Sequence, residues 1–142
     1  MSNRTAAVSP VVTLLSHTPE PEKVVALAAK LCYSDADVTE LRRGVSETDT
    51  AKFIAMLIRL GHLSTIEHAS FTFSIEGVSR ALLAQITRHR IASFSVKSQR
   101  YVGADKSFRY VMPPAVAALG QAAADRFHAQ MEQMRAWYLE WQ

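Results

Sequence analysis

Between residues 69 and 90 the apolar residues change period once, and that change points to a fold that mixes strand and helix. Phe71, Phe73 and Ile75 alternate with Ser70, Thr72 and Ser74, the two-residue repeat of a strand with one face on a core. Val78, Leu82 and Ile86 follow at i, i+4 and i+8 with Leu83 beside them, which predicts an amphipathic helix over residues 78–90. Other segments repeat the mixture. Residues 11–15, Val-Val-Thr-Leu-Leu, form a β-branched run that reads as a first strand. A helix is expected from Pro21 to about Tyr33, where Ser34 and Asp35 break it. Asp49 or Thr50 can cap another, with Phe53, Ile54, Met56, Leu57 and Leu60 on one wide face and Gly61 at its end. Residues 93–100 lack a helical period and should be extended or looped. From Pro113 the pattern is helical again through Trp137 and Tyr138, with no stop signal before Gln142. The chain is therefore expected to be cut before its partner element, the alternative being a terminal helix left exposed.

The length of 142 residues suits a single domain, 1–142, able to bury one core. Cys32 is the lone cysteine, so an internal disulfide or a cysteine-rich zinc site is excluded; on the apolar side of its helix it is expected to be packing. Residues 1–10 carry one arginine and no apolar run, and no stretch is long enough to span a bilayer, so neither a secretory signal nor a membrane partner is expected.

Sixteen basic and thirteen acidic residues leave a formal charge of only +3, but the surplus is local. Between Glu76 and Asp105 there is no acid, while Arg80, Arg88, Arg90, Lys97 and Arg100 lie there together with His89. Such a window suits an anionic ligand.

Two constellations could carry chemistry. In residues 61–68, Gly-His-Leu-Ser-Thr-Ile-Glu-His, the histidines are six apart across a loop, which fits neither zincin spacing; no metal is assigned. The plain alternative makes Ser64 or Thr65 a helix cap, with Glu67 meeting a backbone amide. In residues 85–90, Gln-Ile-Thr-Arg-His-Arg, a helix would bring Gln85 to one face with Arg88 and His89. A guanidinium donates two parallel hydrogen bonds to a phosphate, and an amide can read a base edge, so this set suits a nucleotide. Ser93, Ser95, Ser98 and Arg100 could close around the same phosphate, with Phe94 and Tyr101 as stacking surface. A solvated basic helix end with a serine-rich loop is the plain alternative. No GxxxxGK[ST], GxGxxG or GxSxG motif occurs.

These residues carry a resemblance. Arg88-His89-Arg90, seven residues, then Ser98-Gln99-Arg100-Tyr101 resembles the signature of the flavin-dependent thymidylate synthases, and Gly61-His62-x-Ser64-x-x-Glu67-His68 with Phe71-Thr72-Phe73 is similar to the segment preceding it. The resemblance implies methylation of dUMP to dTMP, with methylenetetrahydrofolate as carbon donor and NADPH-reduced FAD as hydride source. It implies flavin contacts at Ser64, Arg88, His89 and Arg90, with His62 and Glu67 ordering the site. It implies nucleotide contacts at Gln85, Arg88, Ser98, Gln99 and Arg100, with Ser98 binding phosphate rather than attacking. The family's catalytic arginine would lie beyond Gln142, so no catalytic residue is assigned. The implied fold is α/β of the α+β type, a mixed, largely antiparallel sheet packed on long helices, the thymidylate-synthase-complementing-protein fold. A homotetramer sharing sites between subunits, a cytoplasmic location and no nucleic-acid partner are also implied. Ser95-Val96 stands where many members have Asn-Glu, so one ligand-contacting carboxylate is missing. Two other classes compete: a nucleic-acid- or nucleotide-phosphate-binding module without catalysis, using the acid-free window, and a non-catalytic assembly scaffold.

Overall fold

A computed structural model describes residues 4–46, 49–104 and 107–142. The chain divides into two compact units, residues 13–74 and residues 1–12 with 75–142.

The first unit is built on helices. Pro21 at the first turn opens α1 (Pro21–Leu31), and Val25, Ala26 and Ala29 are its buried positions. The oxygen Oδ1 of Asp37 accepts from the amides of Thr39 and Glu40 at 2.7 and 2.9 Å and starts α2 (Val38–Ser46), which buries Leu41 and Val45 one turn apart. The sequence reading missed α2, whose Val38, Leu41 and Val45 stand in a mostly polar segment that also contains the poor helix former Gly44. Asp49 caps α3 (Thr50–Arg59) by accepting from the Lys52 amide at 3.2 Å, as expected. Val25, Ala29 and Leu57 form the core, and Phe53, Ile54, Ile66 and Ala69 pack around it. Strand β2 (Val11–His17) pairs with β3 (Phe71–Glu76), and the Thr18 amide donates to the Ser70 carbonyl at 2.9 Å beside them. The alternation in β3 is as expected but its burial is not. Phe71 and Phe73 remain about half exposed, at 52% and 51%, and the Phe71 ring stacks on Phe73 and on His17.

In the second unit β1 (Arg4–Ala7) runs parallel to β4 (Ser107–Tyr110), pairing Thr5 with Phe108 and Ala7 with Tyr110. Both strands are four residues long and escaped the sequence reading for that reason. Gly77 turns the chain into α4 (Arg80–Ile86) with φ of 66°; a Cβ there would stand 2.1 Å from the Ser9 carbonyl oxygen, so the turn needs glycine twice over. The helix expected to run unbroken from Pro113 is two helices, α5 (Pro114–Ala117) and α6 (Gln121–Glu140). Gly120, at φ 93°, breaks it where alanine-rich sequence alone gave no period change. The Tyr110 ring is buried against Phe127 and His128, and its hydroxyl shares a 2.7 Å hydrogen bond with Nδ1 of His128. Burial, and then the Glu132 carboxylate, raise the Tyr110 hydroxyl above its ordinary pKa. No residue of α6 is buried, and Trp137 and Trp141 are largely exposed. Among the described residues no helix is long and apolar enough to cross a membrane.

Candidate functional site

The first motif block lies in the unit of residues 13–74. After α3 the amides of Gly61 and His62 donate back to Ile58 and Leu57, which closes the helix and starts a 3-10 helix, Leu63–His68. Ile66 on that helix packs on the core, which turns Ser64 and Glu67 outward into solvent. The cap expected of Ser64 or Thr65 is not formed. His62 is the N-cap residue and makes no side-chain cap bond, while the Thr65 hydroxyl donates to the His62 carbonyl at 2.9 Å. The expected meeting of Glu67 with an amide is also absent among the described residues, because a 3-10 turn already closed by Thr65 leaves that carboxylate facing outward. The exposed His62 ring lies edge-to-face with that of Tyr33, their centres 6.3 Å apart. Cys32, expected in the packing, is exposed at the end of α1, where its thiol lies 3.4 Å from the Ala28 carbonyl. No group of three or more His, Cys, Asp or Glu able to hold a metal gathers among the described residues.

The second block belongs to the other unit. Ser79 Oγ accepts from the Leu82 amide at 3.1 Å and caps α4. The helix ends at Ile86, four residues short of the expected Arg90. Thr87 turns its hydroxyl back onto the Leu83 carbonyl at 2.9 Å, the local competition by which threonine loosens a helix. The amides of Arg88 and His89 then bond three residues back, to Gln85 and Ile86. Gln85 thus occupies the last helical turn, and Arg88 and His89 the tighter turn after it, rather than one continuous helical face. All four side chains from Gln85 and Arg88 to Arg90 are exposed, and none makes a hydrogen bond or ion pair with another described residue.

Residues 92–98 run without regular structure, as expected. Ser98 is half-buried; its Oγ accepts from the Arg100 amide at 3.2 Å and its carbonyl from the Val102 amide at 3.1 Å, forming a turn. The Arg100 guanidinium stands 5.9 Å from the centre of the Tyr101 ring. An open cleft of about 450 Å³ is lined by Arg80, Lys97, Ser98, Gln99, Arg109 and Tyr110, among others. Three cations and no acid face it from the described residues. Of the residues expected in the site, Ser98 and Gln99 line the cleft; Arg88, His89, Arg90 and Arg100 do not. Sequence reasoning missed Arg109, which sits on the unseen strand β4, and counted Arg80 only as charge. The acid-free window was the available signal for Arg80.

Comparison with known proteins settles the family. The model of the thymidylate synthase complementing protein family matches residues 13–142. The chain belongs to that family. It is 57% identical over 105 residues to a flavin-dependent thymidylate synthase of Clostridium tetani, covering 74% of this chain and 42% of that protein. It is 46% identical over 132 residues to the flavin-dependent thymidylate synthase of Geobacter sulfurreducens, covering 85% and 57%. The one from Nitratidesulfovibrio vulgaris is 48% identical over 134 residues, covering 91% and 54%. The chain therefore spans about half the length of the curated relatives it matches.

Proposed function

We propose that the chain forms part of a flavin-dependent thymidylate synthase, which reductively methylates dUMP to dTMP. Methylenetetrahydrofolate and NADPH are its co-substrates and FAD its cofactor. The observation that carries this reading is the state of the signature: Gln85, Arg88, His89 and Arg90 stand exposed and unengaged by the rest of the described chain. Exposed donors of that kind are free for an incoming anion. The donor set fits FAD: two guanidinium groups and an imidazole suit its diphosphate and ring, and Ser64 adds a hydroxyl on the other block, with His62 and Glu67 as its neighbours. Bound flavin would supply the hydride chemistry; the protein binds and orients.

Gln85, Arg88, Ser98, Gln99 and Arg100 hold the nucleotide in this reading. Ser98 serves the phosphate. Its oxygen already accepts the Arg100 amide, its O–H stays available as a donor, and no described side chain hydrogen-bonds it as an activating base. The complete enzyme is a cytoplasmic homotetramer with sites shared between subunits, its catalytic arginine outside these residues. The chain contributes a single domain to a mixed, largely antiparallel sheet packed on long helices.

The visible spectrum of the protein after incubation with FAD and desalting tests this. Retained flavin whose bands shift on adding dUMP is the expected result, and Arg88→Ala should weaken both ligands about tenfold to a hundredfold, the worth of one charge-assisted contact. Salt-sensitive binding of single-stranded DNA with no preference for dUMP would replace this reading with the nucleic-acid one.

A further inference from the structure

We infer that Arg80 is a positioning residue, which sets the place of the Ser98 turn by holding the Lys97 carbonyl. That the turn's ligand is the dUMP phosphate rests on the function proposed above. Arg80 opens α4, and its Nη2 donates to the Lys97 carbonyl oxygen at 3.1 Å across seventeen residues of chain. Between His89 and that carbonyl the backbone has no support of its own. No backbone–backbone hydrogen bond among the described residues involves residues 90–97. Ser98 follows Lys97 directly, and the bonds it receives from Arg100 and Val102 shape the turn internally without fixing where it stands. The far side is tied by the Ala104 amide, which donates to the Tyr138 hydroxyl at 3.3 Å. The entry side depends on Arg80.

The anchor is set by two local features. Gly77 is pressed against the Ser9 carbonyl, and Ser79 caps the helix beside Arg80. A guanidinium has five N–H donors, and this one lines the cleft with Lys97, Ser98 and Gln99, so a single bond of it can hold the loop at the cleft's edge. A charge-assisted bond to a carbonyl is stronger than a neutral one, which suits a single tie holding a long unsupported segment.

Hydrogen exchange and ligand titration on the same variants test this. In Arg80→Ala, exchange at the Arg100 and Val102 amides should rise at least tenfold while the α6 amides keep their rates. The dUMP dissociation constant should rise about tenfold with flavin retention unchanged, and Arg80→Lys should recover part of both effects. Unaltered exchange at Arg100 and Val102 in Arg80→Ala overturns the inference. So does a loss of dUMP and flavin affinity in equal measure with the fold intact, which marks a merely structural role. Should Arg80→Ala lose its α6 protection, Arg80→Met decides by the same amides, since it keeps the apolar stem and removes every donor. Failure of the unsubstituted protein to bind dUMP refutes the functional reading instead, and the exchange rates then judge Arg80 without it.

Discussion

Residues 61–68 and residues 88–100 both carry candidate ligand contacts, yet the first lie on a 3-10 helix whose Ile66 packs against Val25, Ala29 and Leu57, whereas the second follow a seven-residue helix along backbone held by a few polar ties. Burial positions the first block. Ser64 and Glu67 face outward because Ile66 faces inward, so their placement shares the stability of the core. The second block has no such apolar anchor: Ile91, Phe94 and Val96 are all exposed. Its order comes from directional bonds at Ser79, Arg80 and Ser98, which can fail one at a time while the unit stays folded.

The strongest way to break the contrast is Leu57→Ala. Leu57 is 4% exposed at the centre of the first unit's core, and truncating a buried leucine costs about 2–5 kcal/mol. Urea unfolding should show that loss, and hydrogen exchange should locate it in α1, α3 and the 3-10 helix. Exchange in α4 that rises as much as in α3 would mean the two blocks do not differ in what holds them.

A smaller effect separates the two helix caps. Asp49→Ala and Ser79→Ala each remove one side-chain acceptor, worth about 1 kcal/mol. In α3 the loss should only fray the first turn, since Leu57 and its neighbours hold the helix from the other end. In α4, a shorter helix with no buried residue, the same loss should accelerate exchange along its whole length. Equal, first-turn fraying in both variants would remove the distinction.

The same difference explains what the sequence made legible. Helices α1 and α3 were readable because apolar burial writes itself as a period: Val24, Val25, Leu27, Ala28 and Leu31 on one, of which Val25 is buried, and Phe53 and Leu57 on the other. The cap at Asp49 and the irregular path of residues 93–97 were readable from residue type. Polar ties leave no period. Nothing in the order of residues says that Arg80 reaches Lys97, or that Thr87 will bond Leu83 and end a helix whose apolar spacing could continue. Strands β1 and β4 were invisible because four residues hold too little alternation, and α2 because its few apolar residues stand in a polar segment that contains Gly44. Signature residues were recognised as a pattern, while their separation into those lining the cleft and those outside it depends on the turn after Ile86 and on the tie at Lys97. The half-exposed rings of Phe71 and Phe73 show the limit from the other side, since alternation gives the strand without saying what its apolar face meets.

The smallest effect expected concerns Tyr110, the one well-buried aromatic of the second unit, and it tests whether that unit has any anchor of the burial kind. Its hydroxyl pKa is raised above 10.0 by burial and then by the Glu132 carboxylate. The folded state therefore holds this proton more tightly than the unfolded chain. The resulting stabilisation is present in full below the unfolded pKa, near 10, and is lost as pH rises through the higher folded value. Urea midpoints measured from about pH 8 to about pH 11 should fall more steeply for the unsubstituted protein than for Tyr110→Phe, which has no proton to lose. The phenylalanine variant should start lower by about 1 kcal/mol, having lost the bond to His128, and the two curves should converge at high pH. Every other ionisable group is common to both proteins, so the difference between the curves isolates Tyr110. Parallel curves would mean that the ring's burial does not carry through to the stability of the unit, leaving the second block held by polar ties alone.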